Sequence, residues 1–332
     1  ADLLLKNGQV VNVFTGEVVR ADVAVARGLI IGVGQGYSAI ETIDLAGKFI
    51  CPGFIDGHLH IESTMLTPYQ FARAVLPHGT TTVICDPHEI ANVLGIPGIH
   101  YMLEASEGLP VTIYFMAPSC VPATHLETAG ASISADDIAT LLTRPRVLGL
   151  AEMMNFPGVL LQIPEVLAKL EVTRKRGMPV DGHAPSLSGR DLQAYIAAGI
   201  TSDHECTRPE EALEKLRAGM YLMIRQGSAE HNLEDLLPVV TAENSRRCIL
   251  VSDDRHPDDL MDRGHMDYSI RLAVRKGLNP VTAIQMVTLN PAERFRLWDR
   301  GAIAPGYRAD MVILNNLEDM QVEKVFVWGQ LV

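Results

Sequence analysis

Apolar runs alternate with helical patterns from residue 49 to about residue 290. Eight of these runs have the length and composition of strands that are buried on both faces. They cover residues 49–61, 80–86, 111–117, 147–153, 178–183, 201–204, 221–226 and 248–253. Helical patterns separate them, for example over 158–176, 190–198, 209–218 and 258–276. Eight alternating units of this kind predict an α/β chain with a parallel, TIM-like (β/α)8 barrel.

A doubly wound open sheet is the main competing fold, because the same alternation would also produce it. We favour the barrel because the first, fourth, fifth, sixth and eighth predicted strands all end in residues that can ligate a metal. A barrel gathers the carboxyl ends of its strands around one axis. An open sheet cannot bring so many strand ends together.

Both ends of the chain show a different pattern, of short strands separated by turns. The candidates are residues 3–5, 9–13, 22–25 and 29–33 near the N-terminus, and 310–314 and 322–327 near the C-terminus. We expect them to pair in a small β-domain made of residues 1–48 plus 301–332, with the barrel at 49–300. The glycines of residues 32–36 do not complete a dinucleotide-binding fingerprint, because Tyr37 stands at the position of the third glycine.

The composition, with 47% hydrophobic and 20% charged residues, is that of a globular protein. A formal net charge of −12 argues against a nucleic-acid partner, which requires a basic surface. The five cysteines are not spaced as C-x-x-C and lie mostly in apolar runs, which is typical of reduced thiols in a cytoplasmic protein. We recognise no signal peptide and no apolar run of membrane-spanning length, and therefore expect no membrane partner.

Metal-ligating side chains stand at the ends of five predicted strands. His58 and His60 are two residues apart on the first strand, so both point to one face. The later strands end with Glu152, His183, His204 and Asp253. Any one of these residues alone is more often a hydrogen-bonded structural residue than a ligand. Together they are hard to explain without a metal, because buried charges that lack a partner each cost several kcal/mol.

Four imidazoles and two carboxylates suit a pair of divalent ions such as zinc, manganese or iron. Glu152 is placed to bridge the two ions. A bridged pair would lower the pKa of a bound water to about 7 and so make hydroxide available at neutral pH. Asp253 could hold one ion and also accept the proton of the water as a general base.

Several motifs resemble those of the amidohydrolase superfamily and, more closely, those of its bacterial adenine deaminase branch. The superfamily pattern is PGFIDGHLH at residues 52–60, followed by the later Glu, His, His and Asp. The finer motifs are HIESTML at 60–66, DPHEIANV at 86–93, LAEMMN at 150–155, DGHAP at 181–185 and SDDRHPDDL at 252–260. The resemblance extends over nearly the whole chain.

The resemblance implies a metal-dependent aminohydrolase that converts adenine to hypoxanthine and ammonia by means of metal-activated hydroxide. It implies a binuclear centre of manganese or iron, with zinc as a further option. The implied ligands are His58, His60, Glu152, His183, His204 and Asp253. Asp253 is preferred to Asp254 because the superfamily ligand usually occupies the first position of this pair. The expected partners are a small-molecule purine and further copies of the chain.

Three more residues follow the second predicted strand. The resemblance suggests a catalytic or supporting role for Asp86, although an aspartate that forms the turn before a proline is an equal alternative. His88 and Glu89 on the same loop would contact substrate or lie in solvent. The predicted catalytic residues are therefore Asp253, which accepts a proton, and His204 or Asp86, which help to protonate the ring nitrogen or the leaving amine.

Other readings remain open. Small zinc deaminases need a P-C-x-x-C motif that is absent here. Adenosine deaminases carry His-Ala-Gly-Glu on the fifth strand, where this chain has His183-Ala184-Pro185, so the free base is favoured over the nucleoside. The alternatives are a hydrolase of another nucleobase or of a cyclic amide, or a non-catalytic metal-binding barrel. Adenine deaminases continue into a further C-terminal domain, so we expect a truncated or unusual member that ends at Val332.

Overall fold

The computed structural model describes residues 1–332 and contains sixteen strands and thirteen α-helices. The strands are β1 Leu3–Asn12, β2 Glu17–Ala26, β3 Leu29–Gly34, β4 Glu41–Asp44, β5 Phe49–Pro52, β6 Phe54–Leu59, β7 Thr80–Cys85, β8 Thr112–Ala117, β9 Val147–Met153, β10 Val180–Gly182, β11 Ser202–Asp203, β12 Tyr221–Arg225, β13 Cys248–Val251, β14 Met311–Leu314, β15 Val322–Val327 and β16 Gln330–Leu331.

The helices follow the barrel strands as the alternation predicts. They are α1 Pro68–Val75, α2 His88–Leu94, α3 Ile96–Ala105, α4 Ala135–Leu141, α5 Phe156–Leu160, α6 Pro164–Lys175, α7 Gly189–Ala197, α8 Pro209–Arg217, α9 Leu233–Leu236, α10 Pro257–Asp262, α11 Met266–Arg275, α12 Pro280–Gln285 and α13 Leu289–Arg294. None of them combines the length and the apolar content that a bilayer-crossing helix requires.

Strands β6 to β13 are parallel and form the predicted barrel. Strands β6 to β10 pair in chain order, as do β11 to β13. Two seams join these groups. At the first, the backbone N–H of Asp253 donates to the carbonyl oxygen of His58 at 3.1 Å. At the second, the N–H of Thr201 donates to the carbonyl oxygen of Val180 at 3.2 Å. The barrel prediction is confirmed, and the open sheet is excluded because the eighth strand meets the first.

An apolar layer fills the lower part of the barrel. Ile55, Ile84, Met116 and Ile249 come from four different strands and pack together with Phe295, which follows α13. Larger clusters of buried apolar residues lie between the strands and the outer helices. Because side chains fill the interior of barrels of this size, polar chemistry is left to the carboxyl ends of the strands.

The remaining strands form one sheet from both ends of the chain, called the end sheet below, in the order β16-β15-β14-β5-β1-β2-β3, with β4 paired to β1. The pairing of β14 with β5 joins the C-terminal strands to the N-terminal ones. The expected β-domain built from both chain ends is therefore present as a sheet. Its division from the barrel at residues 48 and 301 stays a prediction, and strand β5 pairs with this sheet.

Several predicted elements are wrong in their bounds. The strands predicted over 3–5 and 9–13 are one strand, β1. The strand predicted over 49–61 is two strands in different sheets, and Gly53 separates them. A Cβ at Gly53 would lie 2.2 Å from Oγ1 of Thr81, so only glycine fits this close crossing. The helices predicted over 158–176 and 258–276 are each two helices. The second one breaks at Gly264, whose φ of +101° is unsuited to a helix.

Candidate metal centre

His58 and His60 lie at the end of β6 and are buried. Asp56 on the same strand fixes this end, because its Oδ1 accepts the backbone N–H of His58 at 3.3 Å and that of Ser252 at 3.2 Å. Nδ1 of His60 lies 2.8 Å from the carbonyl oxygen of Asp86. A carbonyl can only accept, so Nδ1 carries the proton and Nε2 keeps its lone pair for a ligand role.

Both histidines face inward because β6 exchanges its two faces. Ile55 packs inside the barrel, whereas Leu59 packs outside against the helices. Strict alternation from Ile55 would turn His58 and His60 outward. The pairing register of β6 with β7 shifts between Asp56 and Leu59, and an irregularity of this kind re-aims the side chains that follow it.

Glu152, near the end of β9, lies at the centre of the cluster. Its Oε1 is 3.3 Å from Nε2 of His60 and 3.3 Å from Nδ1 of His88. Its Oε2 is 2.6 Å from Nδ1 of His183 and 3.2 Å from Nε2 of His204. Burial alone would raise the pKa of Glu152, but the charge of His204 and the imidazole hydrogen bonds hold it well below its usual range. The carboxylate is thus ionised at neutral pH, with one oxygen turned to each half of the cluster.

The two histidines from β10 and β11 complete the far side of the cluster. His204 stacks on His58 with 4.1 Å between ring centroids, and 5.1 Å separates it from the ring of His183. Burial opposes protonation of His204, but the charge of Glu152 raises its pKa to about 9. The carboxylate of Glu152 thus favours a positive charge on His204, whereas burial and the charge of His204 lower the pKa of His58.

Asp253 follows β13 and has a φ of +57°, a left-handed conformation that Asp and Asn adopt more readily than most residues. Its Oδ1 lies 3.3 Å from Nε2 of His60 and 3.7 Å from Nε2 of His58. Burial would raise the pKa of Asp253, but the hydrogen bond with His60 and the nearby imidazole charges lower it. Asp254 lines the adjoining cavity, and only Asp253 of the pair lies within 4 Å of both histidines.

The donors fit a divalent metal. Nε2 of His58 is buried without a hydrogen-bond partner, 3.7 Å from Asp253 and 3.9 Å from Glu152. These separations are too long for hydrogen bonds, yet they suit a cation between the atoms, because metal–nitrogen and metal–oxygen bonds are about 2.0–2.2 Å long. Several overlapping sets of ligand atoms lie within 4.8 Å of one another. Among them are His58 with His204 and Asp253, Glu152 with His183 and His204, and His60 with Asp86, His88 and Glu152.

The sequence profile of the Amidohydrolase family matches residues 49–332. The chain belongs to the amidohydrolase family. It is 57% identical over 328 residues to a protein of Desulfatibacillum aliphaticivorans named adenine deaminase, covering 99% of this chain and 58% of the relative. It is 55% identical over 332 residues to adenine deaminase 2 of Carboxydothermus hydrogenoformans, with coverage of 100% and 58%. The chain thus spans 58% of the length of these relatives.

Solved structures share the fold. N-acetyl-D-glucosamine-6-phosphate deacetylase from Mycobacterium smegmatis superposes with a TM-score of 0.73 at 21% identity, covering 99% of both chains. The β-aspartyl dipeptidase of Fervidobacterium islandicum AW-1 superposes with a TM-score of 0.73 at 20% identity, covering 99% of this chain and 96% of the other. At such identities the likeness bears on the fold alone.

A cavity of about 280 Å³ opens above the donors of this amidohydrolase, and Met154 is its one apolar lining residue. His88 lines the cavity and pairs through Nδ1 with Oδ2 of Asp86 at 3.0 Å. Burial would lower the pKa of His88, but the charge of Asp86 raises it to about 10. Glu89, in the first turn of α2, is not among the lining residues, so its role in substrate binding stays a prediction.

Two charged residues beside the cavity escaped the sequence reasoning. Arg225, at the end of β12, donates through Nη1 to Oδ2 of Asp253 at 2.9 Å and through Nη2 to Oε2 of Glu205 at 3.0 Å. Glu205 lies 3.4 Å from Nε2 of His204. The signal that could have found them is the one that found the histidines, since both residues stand at or just after the end of a barrel strand.

Proposed function

We propose that the chain carries the catalytic site of an enzyme that deaminates adenine hydrolytically to hypoxanthine and ammonia. One observation carries the proposal. All six sequence-predicted donors lie in one cluster, five of them buried and His183 partly exposed, in a chain that is 57% identical to a protein named adenine deaminase. The proposal concerns the activity of the whole protein. This chain matches 58% of the length of the relative on which the proposal draws.

The proposed metal ligands are His58, His60, Glu152, His183, His204 and Asp253. They would hold two divalent ions, manganese or iron by preference and zinc as the further option. Such ions would supply Lewis acidity and lower the pKa of water to about 7.

The chain's own side chains would move the protons. Asp253 is ionised, because its pKa is lowered, and its carboxylate is the acceptor for the proton of the attacking water. Arg225 holds Oδ2 of that carboxylate, which leaves Oδ1 directed toward the histidines. His88 lines the cavity and is held by Asp86, so we assign proton donation at the leaving amine to this pair. His204 supports the charge on Glu152 from the opposite side.

The test measures ammonia release by manganese-loaded protein from adenine, adenosine and cytosine in parallel. Ring opening of dihydroorotate is followed separately, because its hydrolysis gives carbamoyl aspartate and frees no ammonia. We expect ammonia release from adenine and little or no reaction with the other three. Faster reaction of cytosine or dihydroorotate than of adenine would overturn the substrate assignment. Metal-loaded protein that hydrolyses none of the four would overturn the enzymatic proposal for this chain. Homo-oligomerisation and a cytoplasmic location stay predictions, which sedimentation and cell fractionation would check.

A further inference from the structure

Lys215 is a fully buried cation that the proposed mechanism does not use. It lies in α8, is 1% exposed, and its Nζ contacts three oxygens. These are the carbonyl oxygen of Ala184 at 2.7 Å, Oδ2 of Asp203 at 2.9 Å and Oε1 of Glu211 at 2.7 Å. An ammonium group has three protons to donate, so this one is fully satisfied without water.

The partners of Lys215 adjoin two of the proposed metal ligands. Ala184 follows His183, and Asp203 precedes His204. Oδ1 of Asp203 accepts the backbone N–H of Ala184 at 2.7 Å, so the carboxylate and the ammonium both connect the two segments. Glu211 adds a second connection, because its Oε1 accepts the backbone N–H of Ser186 at 2.8 Å as well as the ammonium of Lys215.

These hydrogen bonds lie where the backbone pairing of the barrel is interrupted. Strands β10 and β11 are the shortest of the barrel, with three and two residues, and no strand ladder joins them. At the other strand junctions of the barrel, except the seam between β13 and β6, a ladder fixes how far one strand end lies from the next. Between β10 and β11 this distance is set largely by side-chain contacts. Each of the two strands is followed by a histidine whose ring nitrogen approaches the same oxygen of Glu152, at 2.6 Å for His183 and 3.2 Å for His204.

We propose that Lys215, acting with Asp203, is a positioning residue that sets His183 and His204 at the spacing needed to share one metal ion. It touches neither the metal donors nor the cavity, and acts through the two segments that it connects. The proposal depends on the metal site in the proposed function but not on adenine as the substrate. Outer partners that orient ligands typically account for about 10- to 100-fold in metal affinity.

The test compares Lys215→Met with Arg308→Met. Arg308 is a matched control, because it is also a buried cation, 4% exposed, and pairs with Asp310 at 2.9 Å in the end sheet. Metal-free protein of each variant is titrated with Mn²⁺ against a competing chelator, and the absorption spectrum is recorded after loading with Co²⁺. Thermal unfolding without metal reports the general loss of stability.

We expect Lys215→Met to bind Mn²⁺ about 10- to 100-fold more weakly and to shift the Co²⁺ spectrum. Lys215→Arg should recover part of both. Arg308→Met should lose stability yet keep its metal affinity and spectrum. Affinity and spectrum that are unchanged in Lys215→Met, or altered equally in Arg308→Met, would overturn the proposal. If Lys215→Met does not fold, Asp203→Asn decides, because it keeps the side-chain shape and an acceptor oxygen. Unchanged Mn²⁺ affinity there refutes the proposal, whatever the outcome with adenine.

Discussion

At the scale of single residues, Asp253 shows how backbone conformation and chemistry are joined. Its left-handed φ lets the backbone N–H close the barrel seam on His58 while the carboxylate turns to the imidazoles. We predict that Asp253→Asn folds normally, because Asn also tolerates this conformation, but lowers kcat for ammonia release by about 10²–10⁴-fold. Circular dichroism and steady-state kinetics on adenine check both parts.

Asp254→Asn is the matched control for that variant, since it changes the same group one residue later. Residue Asp254 lines the cavity, but its carboxylate is not within 4.0 Å of the imidazole nitrogens of His58, whereas Oδ1 of Asp253 lies 3.7 Å from Nε2 of His58. We expect Asp254→Asn to keep its metal content and to affect KM more than kcat. If it is Asp254→Asn that loses metal, while Asp253→Asn turns over normally, the roles of the two aspartates are reversed.

The sequence predicted six candidate donors because each stands at the end of an apolar run, a pattern that can be recognised without coordinates. It missed Arg225 and Glu205, because their role depends on a contact between the ends of β11 and β12 that only the folded barrel creates. Both residues stand at or just after a strand end, but charged residues at such positions are usually solvated, so their position alone did not single them out. The same holds for Lys215, which is 1% exposed although a lysine on a helix is normally at the surface.

At the scale of elements, α4 has a complete N-terminal capping box. Oγ of Ser134 accepts the N–H of Asp137 at 3.2 Å, and Oδ2 of Asp137 accepts the N–H of Ser134 at 2.9 Å. We predict that Ser134→Ala lowers the free energy of unfolding by about 1 kcal/mol at pH 7. Ser188 provides the control, since it precedes α7 without a capping hydrogen bond, and Ser188→Ala should change stability much less.

The capping box also predicts a pH dependence. The hydroxyl and the backbone N–H of Ser134 lower the pKa of Asp137 in the folded chain. A lowered folded pKa stabilises the fold above the unfolded pKa of about 3.9, and this stabilisation is lost as the pH falls through the folded value. The difference between Ser134→Ala and the unchanged protein in urea unfolding should therefore shrink between pH 7 and pH 3. A constant difference would show that the carboxylate contributes nothing to the cap.

Strand β10 depends on a glycine at its end. A Cβ at Gly182 would lie 2.2 Å from the carbonyl oxygen of Ser202, so an alanine must push β10 and β11 apart. We predict that Gly182→Ala costs about 1–3 kcal/mol of stability and weakens metal binding through the adjacent His183. Gly177→Ala adds a methyl group that meets no atom within 4 Å, and it should leave metal binding unchanged. Equal metal affinity in the two variants would contradict this account of the seam.

Element bounds were the least predictable feature of the fold. The run over residues 49–61 is continuously apolar, and hydrophobicity cannot show that its first four residues pair in the end sheet and the rest in the barrel. The division is made by close packing at Gly53 against Thr81, a contact between residues far apart in sequence. The exchange of faces within β6 is likewise set by its register with β7. Periodicity within one segment therefore predicts the element but not its partners.

At the scale of the whole molecule, the barrel follows from the repeated βα rhythm, and the cluster follows from the barrel. Five strands each contribute at least one donor, and the backbone seams at β13–β6 and β10–β11 lie directly beside donors. Ions held here would connect strand ends that the backbone pairs only weakly. We therefore expect metal binding to stabilise the entire barrel, because the unfolded chain cannot assemble the donors.

Removal of the metal tests this coupling. Each independent site should add about 2.7 kcal/mol when free metal is 100 times its Kd, so protein treated with a chelator should melt several degrees lower than the reloaded protein. The difference should grow with the logarithm of free Mn²⁺. His183→Ala should reduce the shift, because it removes a donor, whereas exposed His125→Ala should not. A melting temperature that does not respond to Mn²⁺ in the unchanged chain would show that the six residues hold no ion tightly, and the proposed chemistry would lose its basis.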